Sequence, residues 1–266
     1  MDNRAIGVFD SGLGGLTAVR RLHEIMPREN IIYFGDTGRV PYGTRGRDTI
    51  IKYTRQDIRF LLQFDPKAIV VACNTASAAA LETVQGEFGL PVFGTVAPSC
   101  EKARQVTRSG RIGVIGTAAT VRSGVFERLL HRADPSLDVR AAACPLFVSL
   151  VENGRVHRGD IVIETVVREY LQPLRDAGVD TLILGCTHYP LLQDVISDFM
   201  GGGVTLVDSG AEAADAVRRA VDPAADGTGG TRYFVSDDPR SFDALASLFL
   251  SHEPAGPAEL VEITDY

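Results

Sequence analysis

A segment that occurs twice in the chain constrains its fold more than any other feature. The apolar run Ile69–Ala72 is followed by Cys73–Thr75, and the apolar run Leu182–Leu184 is followed by Gly185–His188. Neither run contains a polar residue, which is typical of a strand buried on both faces of a parallel sheet. The residues after each cysteine favour the start of a helix. The sequence therefore predicts two copies of one strand–cysteine–helix unit.

Two further pairs of segments repeat at a similar spacing along the chain. The run Ile6–Gly12 has a counterpart in Ile112–Ala118, and Pro91–Val96 has one in Val204–Ser209. We therefore predict an α/β fold of two similar parallel-sheet domains, related by a pseudo-twofold axis, with the active site in the cleft between them. The predicted boundaries give residues 1–97 and 208–266 to a discontinuous first domain and residues 98–207 to the second.

Three local predictions follow from shorter patterns. The apolar stretch Cys144–Gly154 is predicted to be irregular, and the tail Leu260–Ile263 is predicted to be a last edge strand. Asn74 and Thr75 stand where helix-capping side chains are favoured, so Cys73 is expected near unpaired backbone N–H groups. Such a position lowers the pKa of a thiol.

The composition argues against several classes of function. The chain has 266 residues, a net charge of −7 and no basic run longer than a pair, so no nucleic-acid or anionic-membrane partner is expected. No apolar run reaches the length of a membrane span, and the first residues lead into a strand without a signal-peptide pattern, so we expect a cytoplasmic protein. The four cysteines form no Cys-x-x-Cys pair, which argues against a zinc ribbon and a disulfide framework.

The repeated cysteines point to acid/base chemistry. Because open α/β sheets bind ligands at the carboxyl ends of their strands, Cys73 and Cys186 are expected to face one cleft from opposite sides. A substrate between two thiols has an acid/base on each face, as inversion of a carbon centre by proton removal and return requires. A thiol, with an ordinary pKa of about 8.5, is a stronger base than a carboxylate of pKa about 4 and is still available near neutral pH.

Two polar residues are the predicted partners of these thiols. His188 stands two residues after Cys186 and is predicted to pair with that thiol or to hold a substrate carboxylate, with a purely structural histidine as the alternative. Asp10 ends the first predicted strand and is the matching partner for Cys73, with helix capping as its alternative role.

Four other residues have an equally good structural explanation. Asp36 and Glu152 are possible supporting residues of the site, although a solvated loop would explain each carboxylate as well. Cys100 and Cys144 are interpreted as small buried hydrophobic side chains.

The residue pattern argues against a metal or an organic cofactor. A Cys186-x-His188 metal site has no second ligand cluster in the sequence. A pyridoxal cofactor requires a Schiff-base lysine, and none of the three lysines lies near a glycine-rich phosphate loop. The loop Asp10–Gly15 lacks the third glycine of a dinucleotide-binding fingerprint. We therefore expect a reaction that uses neither metal nor cofactor.

Motifs spread from Ile6 to about Leu250 match one known family. They are Gly7–Gly12, Phe34–Thr37, Pro41–Gly43, Ala72–Ala78, Val151–Glu152 and Gly185–Leu192. Through these motifs the chain resembles the aspartate/glutamate racemase family. Aspartate-specific members typically have a glutamate at the position of His188, so this residue favours glutamate as the substrate.

The resemblance implies a pyridoxal-independent, metal-free, two-base racemase that interconverts L- and D-glutamate and supplies D-glutamate for peptidoglycan. It implies that Cys73 and Cys186 are the two acid/bases and that Asp10 and His188 assist them. The substrate-binding positions that it implies are Asp10, Ser11, Tyr42, Gly43, Asn74, Thr75, Thr117, Thr120, Thr187 and His188. Hydroxyl, amide and backbone N–H groups would hold the two carboxylates, and Asp10 or Asp36 would face the ammonium group.

The resemblance also carries expectations about partners. It implies a homodimer. Family members that a cell-wall precursor activates tend to have an N-terminal extension, and this sequence begins close to its first strand, so no such activation is expected.

Three other functions stay open on the residues alone. The same two thiols would serve racemisation or decarboxylation of another small carboxylate. Cys186 with His188 would serve as a covalent nucleophile in amide hydrolysis, without any need for Cys73. The third alternative is a binding protein of two α/β domains that closes on a ligand without chemistry. Such a protein would exchange no hydrogen of the ligand with solvent.

Overall fold

Strands and helices alternate along most of the chain in the computed structural model, which describes residues 2–266. Ten strands lie in this range: β1 (Ile6–Asp10), β2 (Ile31–Gly35), β3 (Ala68–Val71), β4 (Val92–Gly94), β5 (Arg111–Gly116), β6 (Asp138–Ala143), β7 (Thr181–Gly185), β8 (Thr205–Asp208), β9 (Thr231–Val235) and β10 (Glu259–Leu260). Twelve α-helices lie in the same range: α1 (Leu16–Ile25), α2 (Arg47–Leu62), α3 (Asn74–Ala79), α4 (Leu81–Val84), α5 (Val96–Val106), α6 (Ala118–Ser123), α7 (Val125–Ala133), α8 (Leu146–Glu152), α9 (Ile161–Asp176), α10 (Gln193–Met200), α11 (Ser209–Ala220) and α12 (Pro239–Leu250). Short 3₁₀-helices cover Thr37–Arg39, Tyr42–Thr44, Tyr189–Leu192 and Ile263–Asp265.

The strands form two sheets in which all paired strands run parallel. The first sheet has the order β10-β9-β2-β1-β3-β4, and the second has the order β6-β5-β7-β8. The order β2-β1-β3-β4 in the first sheet is thus repeated as β6-β5-β7-β8 in the second. The predicted fold of two similar parallel-sheet α/β units is confirmed. We call the parts of the chain built on the two sheets the first lobe and the second lobe.

Helices pack against the sheets, and three central strands are buried along their whole length. Every residue of β1, β3 and β7 is buried. This burial explains why these strands are continuous apolar runs and do not alternate between polar and apolar residues. On α1, Leu16, Val19 and Leu22 lie on one helical face and are fully buried against the sheet.

One apolar core connects the two lobes. Tyr33 and Val70 of the first sheet belong to the same cluster of buried side chains as Leu182 and Leu184 of the second sheet. Helix α11 packs against both α1 and α5 at this junction. Within residues 2–266, no helix combines the length and the apolar character that crossing a membrane requires.

The prediction of an irregular stretch at Cys144–Gly154 is wrong, because the stretch contains helix α8. Phe147 and Val151 lie four residues apart, on one helical face, and both are fully buried. Other apolar residues surround these two in the sequence and obscure the helical period.

The prediction of a last edge strand at Leu260–Ile263 is correct only at its start. The tail pairs with β9 over Glu259–Leu260. The Glu262 carboxylate then accepts a hydrogen bond from the Thr264 backbone N–H at 3.2 Å, which starts a 3₁₀-helix and ends the strand.

The carboxyl ends of four strands meet where the two lobes face each other. Asp10 is the last residue of β1, and Cys73 stands two residues beyond the end of β3. In the second lobe, Thr117 follows β5 and Cys186 follows β7. Ligand sites of open parallel sheets lie at this edge.

Candidate active site

A cavity of about 330 Å³ lies between the two lobes. Cys73 lines it from the first lobe, and Cys186 lines it from the second lobe. The predicted site residues in the lining are Ser11, Tyr42, Gly43, Cys73, Asn74, Thr75, Thr117, Glu152, Cys186, Thr187 and His188. Three other predicted residues are buried and stand outside the lining: Asp10, Asp36 and Thr120. The volume suits a small molecule.

Cys73 stands at the N-terminus of helix α3. Its sulfur accepts a hydrogen bond from the Ala76 backbone N–H at 3.5 Å and donates one to the Ser11 hydroxyl at 3.5 Å. The cysteine itself, and neither Asn74 nor Thr75, is therefore the capping residue of this helix.

The expected low pKa of Cys73 is wrong. Burial and, after it, the negative charge of Asp10 raise the pKa of the Cys73 thiol to about 12. The hydrogen bonds from Ala76 and Ser11 act in the opposite direction but do not offset these two effects. Helix α3 has six residues, so its dipole is small, and the thiol is 3% exposed, so a thiolate would lose nearly all of its hydration. Cys73 is therefore a neutral thiol near neutral pH.

His188 carries a positive charge beside Cys186. Its Nε2 lies 3.0 Å from Glu152 Oε1, its Nδ1 lies 3.4 Å from the Thr187 hydroxyl, and the side chain is also hydrogen-bonded to Cys186. Burial opposes protonation of the ring, but the bonds to Cys186 and Glu152, together with the charges of Cys186 and Asp10, raise the pKa of His188 to about 10. The ring therefore places a positive charge beside the Cys186 side chain.

Asp10 links the surroundings of the two thiols. Its Oδ2 accepts a hydrogen bond from the Gly12 backbone N–H at 2.9 Å, and its Oδ1 accepts one from the Thr187 hydroxyl at 3.4 Å. Burial raises the pKa of Asp10 itself, against the opposing charge of His188. Asp10 also accepts a hydrogen bond from the backbone of Gly15, the N-cap residue of helix α1, so it contacts the start of this helix as well as the site. The carboxylate lies where it influences both Cys73 and His188.

Three threonine hydroxyls meet across the boundary between the lobes. Thr75 Oγ1 of the first lobe lies 2.9 Å from Thr117 Oγ1 of the second lobe. Thr120 Oγ1 lies 3.4 Å from Thr75 Oγ1 and 3.0 Å from Thr117 Oγ1. Each hydroxyl has one proton to donate and two lone pairs, so the cluster has donors to offer to a carboxylate in the cavity. Thr120 is 1% exposed and contacts the other two hydroxyls from behind the lining.

Asn74 is fixed by hydrogen bonds that join the two lobes. Its amide nitrogen donates to Ser209 Oγ at 2.9 Å, and its Oδ1 accepts from Thr95 Oγ1 at 2.8 Å. The Ser209 hydroxyl donates onward to the Leu184 carbonyl of β7 at 2.7 Å. Sequence reasoning missed Thr95 and Ser209. A buried amide requires partners, but which hydroxyls supply them depends on tertiary packing.

The segment Pro41–Thr44 forms one wall of the cavity. Asp36 supports this wall and does not line the cavity. Its side chain is fully buried and accepts hydrogen bonds from Arg39 and Ser236 at 2.7 Å each, as well as one from the Tyr42 hydroxyl. Asp10 also stands behind the lining, where it bonds to Gly12 and Thr187.

Sequence reasoning also missed an apolar part of the lining. Val40 and Pro41 contribute to it from the first lobe, and Pro145 and Val148 contribute from the second. Ser149 lies three residues before Glu152 on helix α8, so both project towards the cavity from one face of the helix. Recognition of the helical period in α8 would have found Val148 and Ser149.

The described part of the chain offers few groups that could bind a metal or a carbonyl cofactor. No group of three or more His, Cys, Asp and Glu side chains within residues 2–266 is arranged to hold a metal ion. The cavity lining in the same range contains no lysine, so no side chain there can form a Schiff base.

The geometry defines a class of site. Two thiols on facing lobes, each with an ionisable partner, line a small cavity that is rich in hydroxyl donors. Such a site can remove a proton from one face of a small molecule and return a proton to the other face.

Comparison with known proteins identifies the family. The family model described as Asp/Glu/Hydantoin racemase matches residues 6–217. The glutamate racemase of Geobacter metallireducens is 47% identical over 253 residues, which is 93% of each chain. That of Streptococcus sanguinis is 50% identical over 213 residues, covering 80% of this chain and 79% of its own. The crystal structure of the Francisella tularensis glutamate racemase in complex with D-glutamate matches with a TM-score of 0.92 at 37% identity, covering 100% of both chains. The chain therefore belongs to the Asp/Glu/hydantoin racemase family.

Proposed function

We propose that this protein is a cofactor-independent racemase that interconverts L- and D-glutamate through Cys73 and Cys186. The observation that carries the proposal is the cavity that both thiols line from facing lobes, with Asp10 beside the first and His188 beside the second. The similarity to glutamate racemases, one of them crystallised with D-glutamate, supports glutamate as the substrate.

The two thiols start the reaction in different protonation states. Cys73 is a neutral thiol, because its pKa is about 12. Reaction in this direction requires Cys186 as the thiolate, and the protonated His188 beside it is a cation suited to stabilise that form. The thiolate takes the α-proton of one enantiomer, while the Cys73 thiol gives its proton to the opposite face of the same carbon. After this step Cys186 is a thiol and Cys73 is a thiolate. These protonation states are the ones from which the reverse reaction starts.

Asp10 connects substrate binding to this chemistry. Its negative charge is one of the two causes of the high pKa of Cys73. A substrate ammonium group beside Asp10 offsets this charge, so Cys73 can alternate between thiol and thiolate while the substrate is bound. A thiolate in a dry cavity is also a stronger base than one in water, as removal of a weakly acidic α-proton requires.

The remaining lining groups are suited to the two carboxylates of glutamate. The hydroxyls of Ser11, Thr75, Thr117 and Thr187 and the amide of Asn74 are all part of the lining. Neutral donors of this kind bind a carboxylate without adding a positive charge that would neutralise a neighbouring thiolate.

We also propose a wider setting for this activity. The lobes act as two domains, residues 1–97 with 208–266 and residues 98–207, and the protein is a cytoplasmic homodimer that supplies D-glutamate for peptidoglycan. Leu146 and Ile161, at the starts of α8 and α9, are exposed apolar side chains that a second copy of the chain would cover if it bound there. Light scattering of the purified protein tests the dimer, and a monomer mass at micromolar concentration would contradict it.

The function is tested with the purified protein and single enantiomers in the absence of added cofactor. L-glutamate and D-glutamate, each followed by circular dichroism, are expected to converge on the same racemic mixture. Aspartate, which is one methylene shorter, is the matched control and is expected to react far more slowly. A product of changed mass would favour the nucleophile function instead. Ligand binding without loss of optical activity would favour a binding protein.

A further inference from the structure

A buried ionic cluster lies behind the cavity wall that contains Tyr42. Arg39 Nε donates to Asp36 Oδ2 at 2.7 Å, and Arg39 Nη2 donates to Asp57 Oδ1 at 2.8 Å. The Tyr42 hydroxyl contacts Asp36 Oδ2 and also lies 3.0 Å from Asp57 Oδ2. Both carboxyl groups are 0% exposed. We call these four residues the Arg39 cluster.

The number of protons available in the Arg39 cluster restricts which of its two carboxyl groups can be ionised. Tyr42 has a single hydroxyl proton, and Asp36 Oδ2 is the nearer of its two acceptors. The tyrosine oxygen then turns its lone pairs towards Asp57 Oδ2. Two oxygens 3.0 Å apart in a buried site repel each other unless a proton lies between them, and Tyr42 has no second proton to give.

Charge balance leads to the same conclusion. Arg39 is the one cation that the described residues place against these two carboxyl groups. Its remaining hydrogen bond, at 2.6 Å, is with the neutral Gln56, and its guanidinium lies 4.1 Å from the centroid of the uncharged Tyr53 ring. Two carboxylates and one guanidinium would bury a net negative charge. Burial and then the charge of Asp36 raise the pKa of Asp57 well above its ordinary value. Protonation of Asp57 makes the cluster neutral.

We propose that Asp57 is a protonated positioning residue, whose carboxylic proton bonds to the Tyr42 hydroxyl and fixes the cavity wall Pro41–Thr44. The wall must be placed accurately because it contacts the second lobe. A Cβ built on Gly43 would lie only 2.9 Å from the Thr117 Cβ, so the two segments are already in close contact. The effect of Asp57 on catalysis rests on the proposed racemase function, whereas its protonation does not.

Matched asparagine variants of the two carboxyl groups separate their roles. Asp57→Asn keeps an N–H donor for Tyr42 and a carbonyl acceptor for Arg39, so kcat/KM for glutamate is expected to stay within about twofold of wild type. Asp36→Asn removes the anion that Arg39 requires, so KM is expected to rise by about tenfold or more through displacement of the wall. Asp57→Ala, which removes both contacts, is expected to raise KM similarly and to leave kcat less affected.

A spectroscopic measurement tests the protonation without reference to activity. The infrared difference spectrum of wild type minus Asp57→Asn, recorded at neutral pH, is expected to show the carbonyl band of a protonated carboxylic acid. A carboxylate band in its place would overturn the proposal, as would an Asp57→Asn variant that loses as much kcat/KM as Asp57→Ala. If wild type did not racemise glutamate, the proposed function would fail while the infrared result would still decide the state of Asp57.

Discussion

The imidazole of His188 bridges a thiol and a carboxylate, since its Nε2 lies 3.0 Å from Glu152 Oε1 while the side chain also bonds to Cys186. Helix α8 supplies the carboxylate, and the segment after β7 supplies the histidine and the cysteine. The two contacts keep the ring charged although it is buried. A residue that sequence analysis ranked as a supporting candidate thus contacts the predicted partner of the second thiol.

Glu152→Gln is expected to lower the pKa of His188, because it removes a partner that favours the protonated ring. In wild type this pKa is about 10, so Cys186 keeps a cationic neighbour well above neutral pH. The rate profile of the variant should therefore begin its alkaline decline at a lower pH. Initial rates measured from each enantiomer as a function of pH test this. Glu169→Gln on α9 is the control, and identical alkaline declines in both variants would contradict the assignment.

The same pair makes a pH-dependent contribution to stability. A histidine whose pKa is raised on folding stabilises the folded state fully below its ordinary value of 6.5, and this contribution is lost as the pH rises through about 10. The difference in unfolding free energy between wild type and Glu152→Gln should be largest below pH 6.5 and should vanish above about pH 10. Because Glu152 is 39% exposed, we expect a difference of at most about 1 kcal/mol. Chemical denaturation over this range measures it, and a difference that grows with pH would contradict the account.

Asp10→Asn is expected to make Cys73 more reactive towards iodoacetamide while slowing racemisation. The charge of Asp10 is the second cause, after burial, of the raised pKa of Cys73, so its removal increases the thiolate fraction. Racemisation slows because the substrate ammonium group loses its anionic partner. Mass spectrometry of the alkylated peptide measures the first effect, and the Cys73→Ala double variant confirms the labelled residue. Unchanged alkylation of Cys73 would show that burial alone sets its pKa.

Gly43→Ala tests the contact between the cavity wall and the second lobe. The added methyl group would lie 2.9 Å from the Thr117 Cβ, so the wall must move by a few tenths of an ångström. We expect KM to rise by about tenfold and stability to fall by about 1–3 kcal/mol, as overpacking of a tight contact does. Gly46→Ala is the matched control, since no atom lies within 4 Å of its added methyl group. Equal effects of the two substitutions would show that the contact does not matter.

The duplicated strands explain how much of the fold the sequence could predict. The apolar runs before Cys73 and Cys186 are fully buried strands with equivalent places in two sheets, so a local pattern was enough to define them. Helix α8 was missed because its two buried residues, Phe147 and Val151, are surrounded by other apolar side chains. The low pKa expected for Cys73 came from helix position alone, whereas burial and a residue from another strand control it.

Other parts of the site depend on contacts that no local pattern encodes. The bond from Asn74 to Ser209 joins residues that are far apart in the sequence. Asp57 stands on helix α2 among charged residues and resembles a solvated position, yet it is fully buried beside Asp36. Such residues are recognised only once the packing of the helix is known.

The two-thiol mechanism is tested most directly by racemisation in heavy water. The measurement determines, during the first turnovers, whether deuterium appears at the α-carbon of the product or of the remaining substrate. With a separate base on each face, product formed from either enantiomer should contain α-deuterium from the start, while the remaining substrate stays unlabelled. Cys73→Ala and Cys186→Ala should each slow racemisation at least about 10²-fold, whereas Cys100→Ala, which replaces a thiol outside the cavity lining, should not. Early product that retains the substrate's α-hydrogen, or full activity in either of the first two variants, would contradict the account.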